Sequence, residues 1–329
     1  MDQSVVSRIL FATDFSESAR LAQAYTEYLA VAFKASVIVF HVTERPSSPE
    51  TGPKDQEIQS RLHGLQEKIR ECLVTASVRR SIGNAGDEIV AAAHQLHADM
   101  ISMGMQGETH VPYGLIGATA QTVTTGNPCP VLTVPLPVKQ ASPCAFTAPD
   151  DVRIQRILAP VDFSDPSLDS LECAIQLAHR LRADLVLLHV VEPAHADWDL
   201  HRMKGAAQMR HQWDARLGDL AAVVKSSGLS ATYDVRTGVP SDSILAGALQ
   251  HRCDLIVMGT HGRRGRERTN VGSVAEAVLK QSSCPVLTVK NPKFARRPAI
   301  QTVFLTQSDE AAMKGTPGSI PRVKNDKGG

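Results

Sequence analysis

The chain repeats itself. Residues 9–14, Ile-Leu-Phe-Ala-Thr-Asp, return at 157–162 as Ile-Leu-Ala-Pro-Val-Asp, and Phe-Ser follows each copy (Phe15-Ser16 and Phe163-Ser164). His41-Val42-Thr43-Glu44 matches His189-Val190-Val191-Glu192 at the same offset of 148. Further on, Gly83 matches Gly238, Gly104 matches Gly259 and Pro130 matches Pro285 at 155, so the second copy carries seven extra residues before Gly238. Each unit closes on Cys-Pro-Val-Leu-Thr-Val, at 129–134 and 284–289. Matches in this order at nearly constant spacing mean two copies of one unit. A period near 150 residues is too long for a solenoid repeat, so each copy should be a domain with its own core.

Size and composition agree. The 329 residues suit two domains, and 43% hydrophobic against 21% charged side chains favours packed cores over disorder. The boundaries read as a first domain over 1–140, a linker over 141–151 that is small, polar and proline-containing, and a second domain over 152–292. Residues 293–329 carry seven basic and three acidic side chains and read as a disordered basic tail. The formal charge of +1 argues against a basic nucleic-acid-binding face. The six cysteines form no CxxC pair and no zinc-spaced cluster, so buried reduced thiols are expected. No leader and no membrane-length apolar run is evident, which makes the cytoplasm the expected location and gives no expectation of membrane contact.

In the second copy, Ile154–Val161, Leu185–Val191, Ala231–Val235, Leu255–Met258 and Val286–Val289 read as strands, several of them apolar on both faces as buried parallel strands are. Between the first two, Leu168, Leu171, Ile175, Ala178 and Leu181 keep helical spacing behind a Ser164-Asp165-Pro166 start signal. Strand and helix alternating through five strands predict an α/β fold: two tandem doubly wound domains, each a five-stranded parallel sheet with helices on both faces. Ligands of such sheets lie beyond the carboxyl ends of the strands, where the strand order reverses. The loops after the first and fourth strands are therefore the places for chemistry.

After the fourth strand the second copy reads Met258-Gly259-Thr260-His261-Gly262, then nine residues, then Gly272-Ser273 and a helix from Val274. Gly259 and Gly262 let backbone approach a ligand, and Gly272-Ser273 opens a helix whose free amides and hydroxyl suit an anion. The intervening loop holds Arg263, Arg264, Arg266 and Arg268 against Glu267. No P-loop lysine motif and no GxGxxG after the first strand is present, so this is a phosphate site of another kind.

These motifs together resemble the ATP-binding branch of the universal stress protein family, arranged in tandem: GxxG, nine residues and Gly-Ser; the Asp-Phe-Ser loop; the His-Val strand; and the Pro-Val-Leu-Thr-Val strand. The resemblance covers about residues 5–136 and 152–290. It implies a Rossmann-like fold of the adenine nucleotide alpha hydrolase type and a bound adenine nucleotide, ATP alone or with Mg2+. It implies that Asp162 takes the ribose or adenine, with Pro160 and Val161 lining the base, and that Val190 offers backbone to adenine. Met258, Gly259, Gly262, Gly272, Ser273 and Val274 would cradle ribose and phosphates. It also implies that Val131–Val134 and Val286–Val289 pair within the chain as a pseudo-dimer, with or without further association into a homodimer.

The first copy keeps Asp14, Gly104, Gly107 and Gly117 but has Ala118 where the second has Ser273, and its loop 108–116 contains no Arg or Lys. A hydrogen bond to a charged phosphate lost in this way costs roughly 1.5 to 3 kcal/mol, so the first copy is expected to be the weaker site. Read blandly, Asp14 and Asp162 only cap helices, and the glycines only shape turns. His41 and His189 read as core histidines, while His94, His97, His195, His201 and His211 lack metal-ligand spacing and read as surface residues. No catalytic set is recognisable around His261, Ser273 and Glu276. The expected function is a nucleotide-dependent switch or sensor in stress response, acting on an unidentified protein partner, with at most slow ATP hydrolysis. The competing expectations are a true ATPase or nucleotidyl-transfer enzyme and a nucleotide-free interaction module.

Overall fold

The apolar runs of both copies become the strands of a single ten-stranded sheet in a computed structural model. The structure describes residues 6–43, 53–107, 115–126, 129–136, 152–192, 200–261 and 271–290, without the side chains of 53–54 and 200–209. The proposed linker 141–151 and the basic tail lie outside the described residues.

The first half runs β1 (Arg8–Ala12), α1 (Glu17–Phe33), β2 (Ser36–Thr43), α2 (Pro53–Glu71), β3 (Ala76–Ile82), α3 (Ala85–Gln95), β4 (Met100–Gly104), α4 (Ala118–Gly126) and β5 (Val131–Val134). The second repeats it as β6 (Arg156–Pro160), α5 (Asp165–Leu181), β7 (Asp184–Val191), α6 (Leu200–Ser226), β8 (Ala231–Thr237), α7 (Pro240–Gln250), β9 (Leu255–Gly259), α8 (Ser273–Gln281) and β10 (Val286–Val289). The seven extra residues have a place, since α6 has 27 residues against 19 in α2 and begins further upstream in the repeat.

Local signals set the helices. Ser16 caps α1 by accepting from the Ala19 amide, and Lys34 ends it in the left-handed region at φ 56°. In α5 Pro166 occupies the first turn, where its missing amide proton costs nothing, and Arg182 ends the helix at φ 56°. Within each half all strand pairs are parallel, in the orders β3-β2-β1-β4-β5 and β10-β9-β6-β7-β8. The first strand of each half is central, so the order reverses between β1 and β4 and between β6 and β9. Helices α1 and α2 cover one face of their half, and α3 and α4 the other, where Leu10, Ile38, Ile89, Ile101 and Val123 form the core. Leu158, Val186, Ile244, Ile256 and Val278 build the matching core in the second half. Cys129, Cys173, Cys253 and Cys284 are buried, and burial, helped by Glu172, pushes the Cys173 thiol up to about 12.

The halves join where β5 and β10 pair antiparallel, Leu132 opposite Leu287. Two buried threonines fasten this seam: Thr133 Oγ1 donates to the Val286 carbonyl at 3.2 Å, and Thr288 Oγ1 to the Val131 carbonyl at 3.3 Å. Replacing either threonine with the near-isosteric valine removes one such bond. Each single Thr→Val variant should lose about 1 kcal/mol of unfolding free energy, seen as a lower urea midpoint at unchanged slope.

Candidate functional site

A proline decides the shape of the second switch point. Backbone amides alternate sides along a strand, and the Val161 amide donates to Leu188 on β7 at 2.8 Å. The amide of residue 160 therefore faces β9, and Pro160 has no proton to give. The β6–β9 ladder accordingly pairs only Ile157 with Leu255 and Leu158 with Ile256, whereas β1 and β4 pair through Ala12 and Met103. The two strands part just where the sheet reverses.

Beyond β6 the chain turns through Asp162-Phe163-Ser164. Asp162 Oδ1 accepts from the Ser164 amide at 2.9 Å and the Ser164 hydroxyl at 2.5 Å. Asp14 does the same with the Ser16 amide at 3.0 Å. These are turns stabilised by the side chain, two residues before the helix caps, so the bland capping reading accounts for one oxygen of each carboxylate. Phe163 and Phe15 adopt positive φ, 62° and 65°, a conformation costly for a bulky residue. Each is held from α6 or α2. The Arg216 guanidinium lies over the Phe163 ring at 4.4 Å, Trp213 stacks on Phe163 at 5.2 Å, and Arg61 lies over Phe15 at 4.0 Å. His189 and His41 complete the clusters. Both are buried, and each Nδ1 donates to the carbonyl of the residue before the aspartate, Val161 at 2.6 Å and Thr13 at 2.8 Å.

Sequence reasoning missed Arg61, Arg216 and Trp213. The two arginines are repeat partners at the offset of 155, and that register was the signal available.

Beyond β9, the Gly272 amide donates to the Thr260 carbonyl at 2.8 Å, closing the loop that begins at His261. Gly117 does the same to Met105 at 3.1 Å. This clasp sets the first turn of α8 over the loop's entrance, with Ser273 exposed as the first helical residue and Val274 packed on the core. The leading amides of a helix have no intrahelical acceptor and carry partial positive charge. Val190 and buried Met258 pack on the same core cluster. In the first half, a Cβ added to Gly107 would stand 3.1 Å from Asp14 Oδ2, so the acidic turn and the glycine loop meet there. Gly262 and the arginines at 263, 264, 266 and 268 lie outside the described residues.

The two halves differ at this loop. Ser16 Oγ donates to the Gln106 carbonyl at 3.3 Å, and Ser18 Oγ donates to the same carbonyl, which straps the first loop to α1. The second half has Pro166 in place of Ser18, and its Ser164 hydroxyl turns to Asp162 instead. His261 stands where the first half has Gln106. Its Nδ1 is 2.9 Å from Thr260 Oγ1, and its buried Nε2 has no hydrogen-bond partner among the described residues. No cluster of three or more potential metal ligands occurs among the described residues, and no described helix is long and apolar enough to cross a membrane.

The sequence model of the universal stress protein family matches residues 6–135 and again 153–290. The chain belongs to the universal stress protein family. Universal stress protein MJ0531 of Methanocaldococcus jannaschii is similar at 34% identity over 146 residues, covering 42% of this chain and 84% of that protein. Universal stress protein Slr1230 of Synechocystis is 23% identical over 314 residues, covering 87% of this chain and all of that protein (100%). Among solved structures, a universal stress protein from Archaeoglobus fulgidus superposes with a TM-score of 0.65 at 20% identity, over 87% of this chain and 97% of that one. That likeness supports the fold.

In this universal stress protein the glycine before each clasp also has a packing role. A Cβ at Gly259 would meet the Pro166 carbonyl oxygen at 2.9 Å, and one at Gly104 the Ala19 amide nitrogen at 2.8 Å. Backbone cannot swing aside as a side chain end can. Gly259→Ala should therefore cost about 1 to 3 kcal/mol through overpacking alone, measured as a lower denaturation midpoint in the absence of any nucleotide.

Proposed function

We propose that this protein binds an adenine nucleotide, ATP foremost, at the end of β6 and β9, and that occupancy biases a surface read by a protein partner in stress response. The observation that carries the reading is the clasp from Gly272 to Thr260, which places the leading amides of α8 beside the parted strands. Those amides and the Ser273 hydroxyl suit phosphate oxygens, and the acidic turn at Asp162 suits sugar hydroxyls on the opposite wall. Pro160 and Val161 would line the base, Val190 would offer it backbone, and Met258, Gly259, Gly262, Gly272 and Val274 would follow the ribose and phosphates. A buried imidazole nitrogen in the same loop, without a hydrogen-bond partner among the described residues, supports a polar ligand there.

The first half is the weaker site in this reading. Ala118 supplies no hydroxyl, and two serines already hold the carbonyl of Gln106. Asp14, Gly104, Gly107 and Gly117 keep the frame without the charge. A switch needs no catalysis: ligand at about a hundred times its dissociation constant stabilises the bound form by roughly 2.7 kcal/mol. We expect at most slow ATP hydrolysis, since His261, Ser273 and Glu276 form no recognisable catalytic set.

Mass spectrometry of small molecules released from the purified, denatured chain should find an adenine nucleotide. Calorimetry on the full chain should give an ATP dissociation constant raised about ten- to a hundredfold by Ser273→Ala or Asp162→Ala, for one lost hydrogen bond to a charged group. Absence of binding by the unaltered chain would reject the proposal. Turnover well above one per second, about the lower end for ordinary enzymes, would favour an ATPase.

A further inference from the structure

A buried polar atom with no partner is costly, and proteins rarely keep one without use. His261 Nε2 is such an atom among the described residues, and it sits inside the loop between Gly259 and Gly272. Its position is set on two sides. Thr260, itself 2% exposed, places Oγ1 at 2.9 Å from Nδ1. Gly272 lies directly against it, since a Cβ built there would be 3.6 Å from His261 Cα. The backbone of His261 thus lies beside the residue that precedes α8, whose leading amides point to the same end of the sheet.

The repeat supplies an internal control. Gln106 occupies the equivalent position, is buried, and has its side-chain oxygen engaged by the Leu136 amide at 3.3 Å. One half turns this side chain to its own backbone, while the other leaves its Nε2 without a partner among the described residues. We infer that His261 is a specificity-determining residue that donates a hydrogen bond from Nε2 to an anionic phosphate oxygen of the nucleotide. The inference rests on the nucleotide-binding reading above. Where the Thr260 hydroxyl donates to Nδ1, the ring's proton stands on Nε2 and serves as the donor. The phosphate accepts it, and the buried nitrogen gains the partner it lacks.

The role separates phosphate from nucleoside. Calorimetry on the full chain should show His261→Ala raising the ATP dissociation constant about ten- to a hundredfold, with adenosine affinity unchanged. His261→Gln, which restores an N–H donor at similar reach, should recover most of that loss. Proton–nitrogen NMR of the unaltered chain should show the His261 imidazole resonances, assigned by their absence in His261→Gln, shifting when ATP is added. ATP binding that is tight in the unaltered chain and equal in His261→Ala overturns the inference and leaves the nucleotide reading standing. Imidazole resonances unmoved at saturating ATP overturn it as well, even if His261→Ala fails to fold. An unaltered chain that binds no nucleotide overturns both.

Discussion

Parallel strands cannot be joined by a tight turn, and everything distinctive about this molecule follows from how the crossovers are shared between two faces. The first strand of each half lies centrally, so connections run outward on one face and return on the other. At the reversal the connections of adjacent strands leave toward opposite faces. Pro160 widens that gap in the second half by withholding the one amide that would have extended the β6–β9 ladder. The site is therefore a consequence of sheet topology, and the residues around it refine what topology already opens.

Duplication makes the refinement visible. Both halves retain the acidic turn, the positive-φ phenylalanine, the arginine over its ring and the clasped glycine loop. Shared features of this kind belong to the frame. They diverge in the contacts that release or restrain the loop: Ser16 and Ser18 hold the Gln106 carbonyl in one half, while proline removes that strap in the other. The differences fall together on one side of the repeat, in the hydroxyl at Ser273, the proline at 160 and the partnerless His261 nitrogen. That concentration is what separates a binding half from a scaffold half in this reading.

Much of the architecture was legible in the sequence because repeated strands with apolar faces on both sides tolerate few arrangements. Leu255–Met258 and Val286–Val289 were found nearly to the residue, since buried parallel strands are short, continuous and bounded by glycine or proline. The ends of β6 were less legible: Ile154 and Val161 are apolar and buried, yet they flank the paired segment, because burial and ladder pairing are separate properties. The aromatic and arginine clusters were not legible at all. They join residues some 50 positions apart, such as Phe163 and Arg216, and a cation over a ring leaves no periodic trace in the intervening chain. Gly259 shows the converse difficulty. It was read as a place for ligand, and the nearby Pro166 carbonyl gives it a packing reason as well, so a glycine motif alone does not apportion the two.

The seam between the halves adds a last constraint. Ile116, the residue before the Gly117 clasp, packs against the cores of both halves, that of the second including Val278 and Leu279 of α8. From the other side, Lys290 follows β10 and donates to the Thr125 carbonyl in the last turn of α4, where a cation complements the helix dipole. Each half thus fastens an end of the other's loop helix. Close-packed interiors transmit displacement because they have little void to absorb it. A change in the first loop that moved Ile116 would alter the packing under α8, and a ligand that fixed α8 would in turn constrain Ile116. Coupling of this sort is reciprocal by thermodynamic necessity. The retained glycine loop of the first half thus has a packing role through Ile116, whether or not it binds anything.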